Sequence, residues 1–121
     1  MKIKRVDAIL LRTPQLAAMA QFYCGLGLPL TEEDHGPEPV HWGCFLAGLH
    51  FAIHPAPVGG PRPSASTEIS FEVEDVDAAI EELRAAGVEV VEEAHDRPFG
   101  RLAAVADPDG NRVYLHRYPS D

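Results

Sequence analysis

The chain is poor in several things that common protein chemistries require. Two cysteines in 121 residues are too few for a disulfide framework. Cys24 falls on an expected helix and Cys44 on an expected strand, and both read as buried free thiols. A reactive thiol wants a nearby base or a helix N-terminus, and Cys24 falls near the opposite helix end. No run of about 18 apolar residues occurs, so no membrane span is expected. The opening Met1-Lys2-Ile3-Lys4-Arg5 is basic, but no unbroken apolar core follows it. It does not read as a signal peptide, and a cytoplasmic protein is expected. Basic residues are scarce: ten against nineteen acids, for a formal charge of −9. The imbalance lies in residues 61–121, which hold fourteen acids and six bases, against five and four in residues 1–60. An acidic surface repels phosphate backbones, so no nucleic-acid partner is expected. There is no phosphate loop, no Gly-x-Ser-x-Gly and no Cys-x-x-Cys, which leaves nucleophilic hydrolysis and redox-thiol chemistry unsupported.

What is present is a plan used twice. The length suits one compact domain, and the composition, 45% hydrophobic and 24% charged, is ordinary for a globular protein. Residues 1–54 read as strand, helix and three strands, and residues 67–118 repeat that order. Ile3 to Arg12 is rich in branched residues and reads as a strand. Thr13 and Pro14 suit a helix start. Leu16, Met19, Ala20, Tyr23 and Leu26 then form an apolar stripe that closes at Gly25 or Gly27. Leu28 to Glu33 reads as a short strand. Asp34 to Pro39 reads as a loop, and Val40–Leu46 with Leu49–His54 reads as a hairpin turning at Ala47-Gly48. Residues 55–66 hold four prolines and two glycines and read as a linker.

In the second copy, Ile69, Phe71 and Val73 alternate with Glu68, Ser70 and Glu72, the mark of a strand with one covered face. Asp75 caps the next helix and Asp77 suits its dipole. Val76, Ala79, Ile80, Leu83 and Ala86 form its buried stripe, and Gly87 ends it. Val88 to Glu92 reads as a strand and Ala94 to Gly100 as a loop. Arg101–Ala106 and Arg112–Tyr118 read as strands around the turn Asp107-Pro108-Asp109-Gly110-Asn111. The expected fold is α+β, two βαβββ modules of curved mixed sheet that can face each other around a cavity.

Three segments resemble the vicinal oxygen chelate superfamily. They are Phe22-Tyr23 with Gly25-Leu26-Gly27-Leu28, the run Phe71-Glu72-Val73-Glu74-Asp75-Val76-Asp77, and the Asp107–Asn111 turn. The superfamily includes glyoxalase I, extradiol dioxygenases, fosfomycin-resistance enzymes and bleomycin-binding proteins. The resemblance implies paired βαβββ modules with the helices outside and a ligand cavity on the inner face. It also implies metal ligands at inward positions on four strands, which here hold Ala8, Ala52, Glu68 and Tyr114. Two alanines and a tyrosine leave one ordinary ligand of four, so no metal cofactor is expected. The alternative is one divalent metal in a shifted set, His54, Glu68 and His116, which share strand parity with the four positions.

The residues expected to carry function follow from this. Glu68 is a general base or ligand acceptor, or a carboxylate paired with an arginine such as Arg12 or Arg101. Trp42 and Tyr114 offer flat rings to a ligand, or fill the core. Ala52, His54 and His116 are expected to line the same space, while His41 and His35 read as surface residues, and Glu92-Glu93 as a solvated face. The expected function is capture or sensing of a small organic ligand without the usual metal. Alternatives are a lyase, isomerase or dioxygenase with a shifted metal site or Glu68 as base, and an accessory protein whose cavity has closed. A homodimer is expected, since members of that superfamily commonly pair and sheet edges need cover.

Overall fold

The structure is a computed structural model, and it describes residues 1–34, 36–37, 39–56 and 67–119. Most of the expected linker, residues 57–66, lies outside the described residues, as does His35. The chain divides into two compact units, residues 1–63 and 64–121.

The first unit runs β1 (Ala8–Thr13), α1 (Leu16–Leu26), β2 (Thr31–Glu33), β3 (His41–Leu46) and β4 (Leu49–Pro55). Its sheet has the order β1-β4-β3-β2, with β1 parallel to β4 and the other pairs antiparallel. The second unit runs β5 (Glu68–Glu72), α2 (Val76–Ala85), β6 (Val90–Arg97), β7 (Gly100–Ala106) and β8 (Arg112–Arg117). Its order, β5-β8-β7-β6, again sets the first strand parallel to the last. This is an α+β fold with two repeated βαβββ modules. No helix of the described residues is long and apolar enough to cross a membrane.

Each helix begins and ends for a local reason. Thr13 Oγ1 accepts the Gln15 amide at 3.0 Å, so the turn it makes delays α1 to Leu16, with Gln15 rather than Thr13 at the cap. Of the two glycines that could close α1, Gly27 does so, at φ +108°, with its amide bonded to the Cys24 carbonyl. Asp75 caps α2 by accepting the Ala78 amide at 3.0 Å, and Gly87 follows the helix at φ +85°. One stripe of each helix covers its own sheet. Tyr23 meets Phe51 with ring centroids 5.2 Å apart, and Met19 and Ala20 are buried beside them. Val76, Ile80 and Leu83 are buried where α2 packs on β6, β7 and β8. Each such side chain, fully buried, is worth roughly 1.5–3 kcal/mol.

Beyond shifts of one or two residues at strand ends, the strands differ from expectation in four places. β1 starts at Ala8 rather than Ile3, because its partner β4 begins only at Leu49 and pairs Ala8 with His50. β2 shrinks to Thr31–Glu33. β4 runs through Pro55, and Ala56 still donates to the Thr13 carbonyl at 2.8 Å, so the ladder enters the expected linker. β6 runs to Arg97, through the segment expected to be a loop, because its hairpin with β7 pairs Arg97 with Gly100. Cys44 is buried, which pushes its thiol pKa up, but Cys24 is exposed.

Arg101 ties α2 to the sheet. Its guanidinium donates to both Asp77 oxygens, at 2.7 and 2.8 Å, and to Asp96 at 3.0 Å. The hydrogen bond from Arg101 holds the Asp77 carboxyl below the usual carboxylate range. A lowered carboxyl pKa contributes stability above the unfolded value, about 3.9, and that contribution is lost as pH falls through the native value. Wild-type protein should therefore lose more melting temperature than Asp77→Asn between about pH 4 and pH 2, and parallel acid profiles would refute the tie. Ile80→Ala, at a site 2% exposed, should cost about 2–5 kcal/mol in urea unfolding.

Candidate functional site

In the second unit, the face of the sheet away from α2 carries the chemistry. Register places Glu68, Ser70 and Glu72 of β5 beside Arg112, Tyr114 and His116 of β8. The same residues of β8 pair with Ala106, Ala104 and Leu102 of β7. Alternation turns Ile69, Val113 and Leu115 to the opposite, helix-covered side, where they are buried. On β6 the register slips between Glu92 and His95, which are three positions apart yet pair with Ala104 and Leu102, two positions apart on β7. This bulge brings both side chains to one face, where His95 Nε2 lies 2.7 Å from Glu92 Oε1.

A cleft of about 400 Å3 opens on this face. Ser70, Leu102, Tyr114 and His116 line its strand side, while Glu92, Arg97, Phe99 and Arg112 line the rest. Glu92 is its electrostatic hub. Arg112 Nη1 donates to Glu92 Oε2 at 3.2 Å, and Arg97 Nη1 lies 3.9 Å from Oε1. Each guanidinium also lies over a ring: Arg97 over Phe99 at 5.4 Å and Arg112 over Tyr114 at 5.8 Å. The Tyr114 hydroxyl donates to Glu68 at 3.3 Å. His116, 7% exposed, sets Nε2 3.0 Å from the Phe99 carbonyl and so ties β8 to the turn that presents Phe99. The arrangement suits a ligand with a flat apolar body and polar groups at its edge.

In the first unit, the face away from α1 carries a histidine cluster. His41 is 3% exposed, not a surface residue. Its Nε2 lies 2.9 Å from Glu33 Oε2 and its Nδ1 3.1 Å from the Pro39 carbonyl. His54 stacks on it, with centroids 4.1 Å apart and planes 9° off parallel. Gly43 makes room for Glu33: a Cβ there would stand 2.9 Å from Glu33 Oε1 and 3.1 Å from His50 Nε2.

The expected site residues thus fall into separate groups. Glu68, Tyr114 and His116 share one face of the second unit, the last two in the cleft. Glu68 is exposed rather than buried, and its partner is Tyr114; of the two arginines offered for it, Arg12 belongs to the first unit and Arg101 is engaged by Asp77 and Asp96. Ala52 and His54 share a face of the first unit, but Ala52 has no exposed surface. Trp42 pairs with Ile53, so it stands on the α1 side with Phe51 and not with Ala52 and His54. The shifted metal set divides between the units, and within each unit no three His, Cys, Asp or Glu side chains among the described residues are grouped to hold an ion.

Sequence reasoning missed Glu92, Arg97, Phe99 and Arg112. Arg112 was within reach, since it shares the parity of Tyr114 and His116 on one strand. The other three depend on the bulge and on β6 extending through Arg97, which no local pattern announces.

The family model described as Glyoxalase/Bleomycin resistance protein/Dioxygenase superfamily matches residues 5–115. A protein of Mycolicibacterium smegmatis, described as "Uncharacterized protein", is 29% identical over 111 residues, covering 92% of this chain and 91% of that one. The crystal structure of SMU.1112c matches with a TM-score of 0.77 at 25% identity, covering 96% of this chain and 100% of that one. TnmS3, an antibiotic binding protein from Streptomyces sp. CB03234, matches with a TM-score of 0.79 at 24% identity, covering 98% and 99%.

Gly100, at φ +131°, lies against the Arg117 carbonyl oxygen, with no room for a Cβ. Gly100→Ala should therefore cost more than about 1 kcal/mol in urea unfolding and shift the NMR signals of Phe99 and His116; a neutral substitution would show that the turn is not held as described.

Proposed function

Because the chain belongs to the Glyoxalase/Bleomycin resistance protein/Dioxygenase superfamily, we propose that it captures or senses a small organic molecule in the cleft of its second unit, without a resident metal. The observation that carries this is the cleft itself. Its volume, about 400 Å3, falls within the range of roughly 300–1,000 Å3 common for ligand sites. Its lining mixes rings, an aliphatic side chain and a few converging polar groups. TnmS3, whose fold this chain shares, is an antibiotic binding protein, so the fold can serve binding.

The donor chemistry supports a metal-free site. A catalytic divalent ion generally needs about three protein ligands and an open position. Of the four positions that the family resemblance assigns to ligands, Ala8 and Ala52 offer no lone pair. Tyr114 is a phenol, and Glu68 already accepts its hydroxyl. Of the other members of the shifted set, His116 sets its Nε2 against the Phe99 carbonyl, and His54, in the first unit, stacks on the His41 ring. We read this donor set, two alanines, a phenol and one carboxylate at the family positions, as a poor fit to a divalent ion. A second reading, a metal-free enzyme with Glu68 as general base, rests on the hydrogen bond of 3.3 Å between Glu68 and Tyr114. We further propose a homodimer, since each four-stranded sheet ends in edge strands that a second copy could cover.

The test has two arms. Protein purified without chelator should carry well under one metal equivalent, and about one equivalent of a transition metal lost in Glu68→Ala would reverse the metal-free reading. A panel of neutral, acidic and basic aromatic compounds should include members that raise the melting temperature, and Ser70→Trp, which fills the cleft, should abolish that rise. If Ser70→Trp leaves the rise intact, the ligand binds elsewhere.

A further inference from the structure

The charge distribution in the cleft points to its ligand: we propose that it takes an aromatic carboxylate, whose acid group docks between Arg97 and Arg112. This rests on the binding reading above and narrows it to one class of molecule.

The cleft reverses the sign of its surroundings. The protein carries a formal charge of −9, and its second half holds most of the excess acid. Yet the cleft is lined by two guanidiniums and one carboxylate, Arg97, Arg112 and Glu92. Both arginines lean on that single carboxylate, one at 3.2 Å and one at 3.9 Å, and His95 claims it too at 2.7 Å. Its two oxygens are already met, Oε1 by His95 and Oε2 by Arg112, and Arg97 stands beyond hydrogen-bond distance, so both guanidiniums keep N–H groups for a further acceptor. The remaining acids on this face do not supply it. Glu68 accepts from Tyr114, and Glu72 lies beside His116 on β5 and does not line the cleft.

Both guanidiniums are held with part of their surface open, Arg97 at 46% side-chain exposure and Arg112 at 37%. Stacking over Phe99 and Tyr114 fixes where each can reach. A guanidinium is a planar fork that matches a carboxylate through two parallel hydrogen bonds, and it is less costly to dehydrate than an ammonium. Phe99, Tyr114 and Leu102 offer the apolar surface beside it. The ligand that satisfies both halves is a flat aromatic body with one acidic group. Its negative charge would complete the pairing that Glu92 leaves half done, while a cationic ligand would meet two like charges.

Calorimetry with three probes of the same ring decides this: 2-naphthoate, 2-naphthamide and 2-naphthylmethylammonium. We expect 2-naphthoate to bind at least about tenfold tighter than the amide, and the ammonium compound to bind weakest. Arg112→Met and Arg97→Met should each lose about tenfold for 2-naphthoate and little for the amide. Arg112→Lys, which keeps the charge without the fork, should fall between, and guards against a loss caused by misfolding. Glu92→Gln removes the competing carboxylate and should tighten 2-naphthoate severalfold, a gain that damage to the fold would not produce. Equal or tighter binding of the amide or the ammonium, or weakening in Glu92→Gln, overturns the acid-docking inference and leaves the binding site standing. No binding by any of the three at millimolar concentration removes the binding reading together with the inference.

Discussion

The arrangement depends on one constraint: in each module the first strand lies parallel to the last. A parallel pair cannot be closed by a tight turn, so the chain must cross over between β1 and β4, and between β5 and β8. The helix lies in that crossover and covers one face of the sheet. The other face is then free for side chains that do not serve the core. Because alternation is strict on β5 and β8, the split is clean: Ile69, Val113 and Leu115 go to the helix, while Ser70, Arg112, Tyr114 and His116 go to the cleft face.

The cleft adds a second device to this frame, a bulged edge strand. Without the slip between Glu92 and His95, those two side chains would point to opposite faces and the hub carboxylate would lose its histidine. With it, β6 delivers Glu92, then Arg97, and the short turn at Pro98-Phe99 delivers an aromatic ring. Gly100, in a left-handed conformation that leaves no room for a side chain, makes that turn possible. His116 reaches across to the Phe99 carbonyl and joins the two sides of the site. The chemistry is therefore placed by backbone irregularity as much as by residue type.

The two units use the same topology for different polar surfaces. In the first, Gly43 makes space for Glu33, which meets a buried histidine with a second imidazole stacked on it. That cluster is consumed internally: both His41 nitrogens face oxygen acceptors. In the second, the polar groups open on a cavity.

How far the sequence alone reached can be judged residue by residue. The element order, the closing glycines, the Asp75 cap, the Ala47-Gly48 turn and the facing of Glu68, Tyr114 and His116 all follow from spacing and local backbone preference, which a chain carries with it into any fold. Trp42 could not be placed, because a strand's two faces are equivalent until a helix covers one. His41 was misjudged, because burial beside the proline loop depends on Glu33 arriving from another strand. Glu92, Arg97 and Arg112 converge only after a bulge shifts β6 against β7, and a register shift belongs to the pairing of two strands and not to either one. Local elements were thus decided by the sequence, and the grouping of charges that gives the cleft its sign was decided by tertiary pairing.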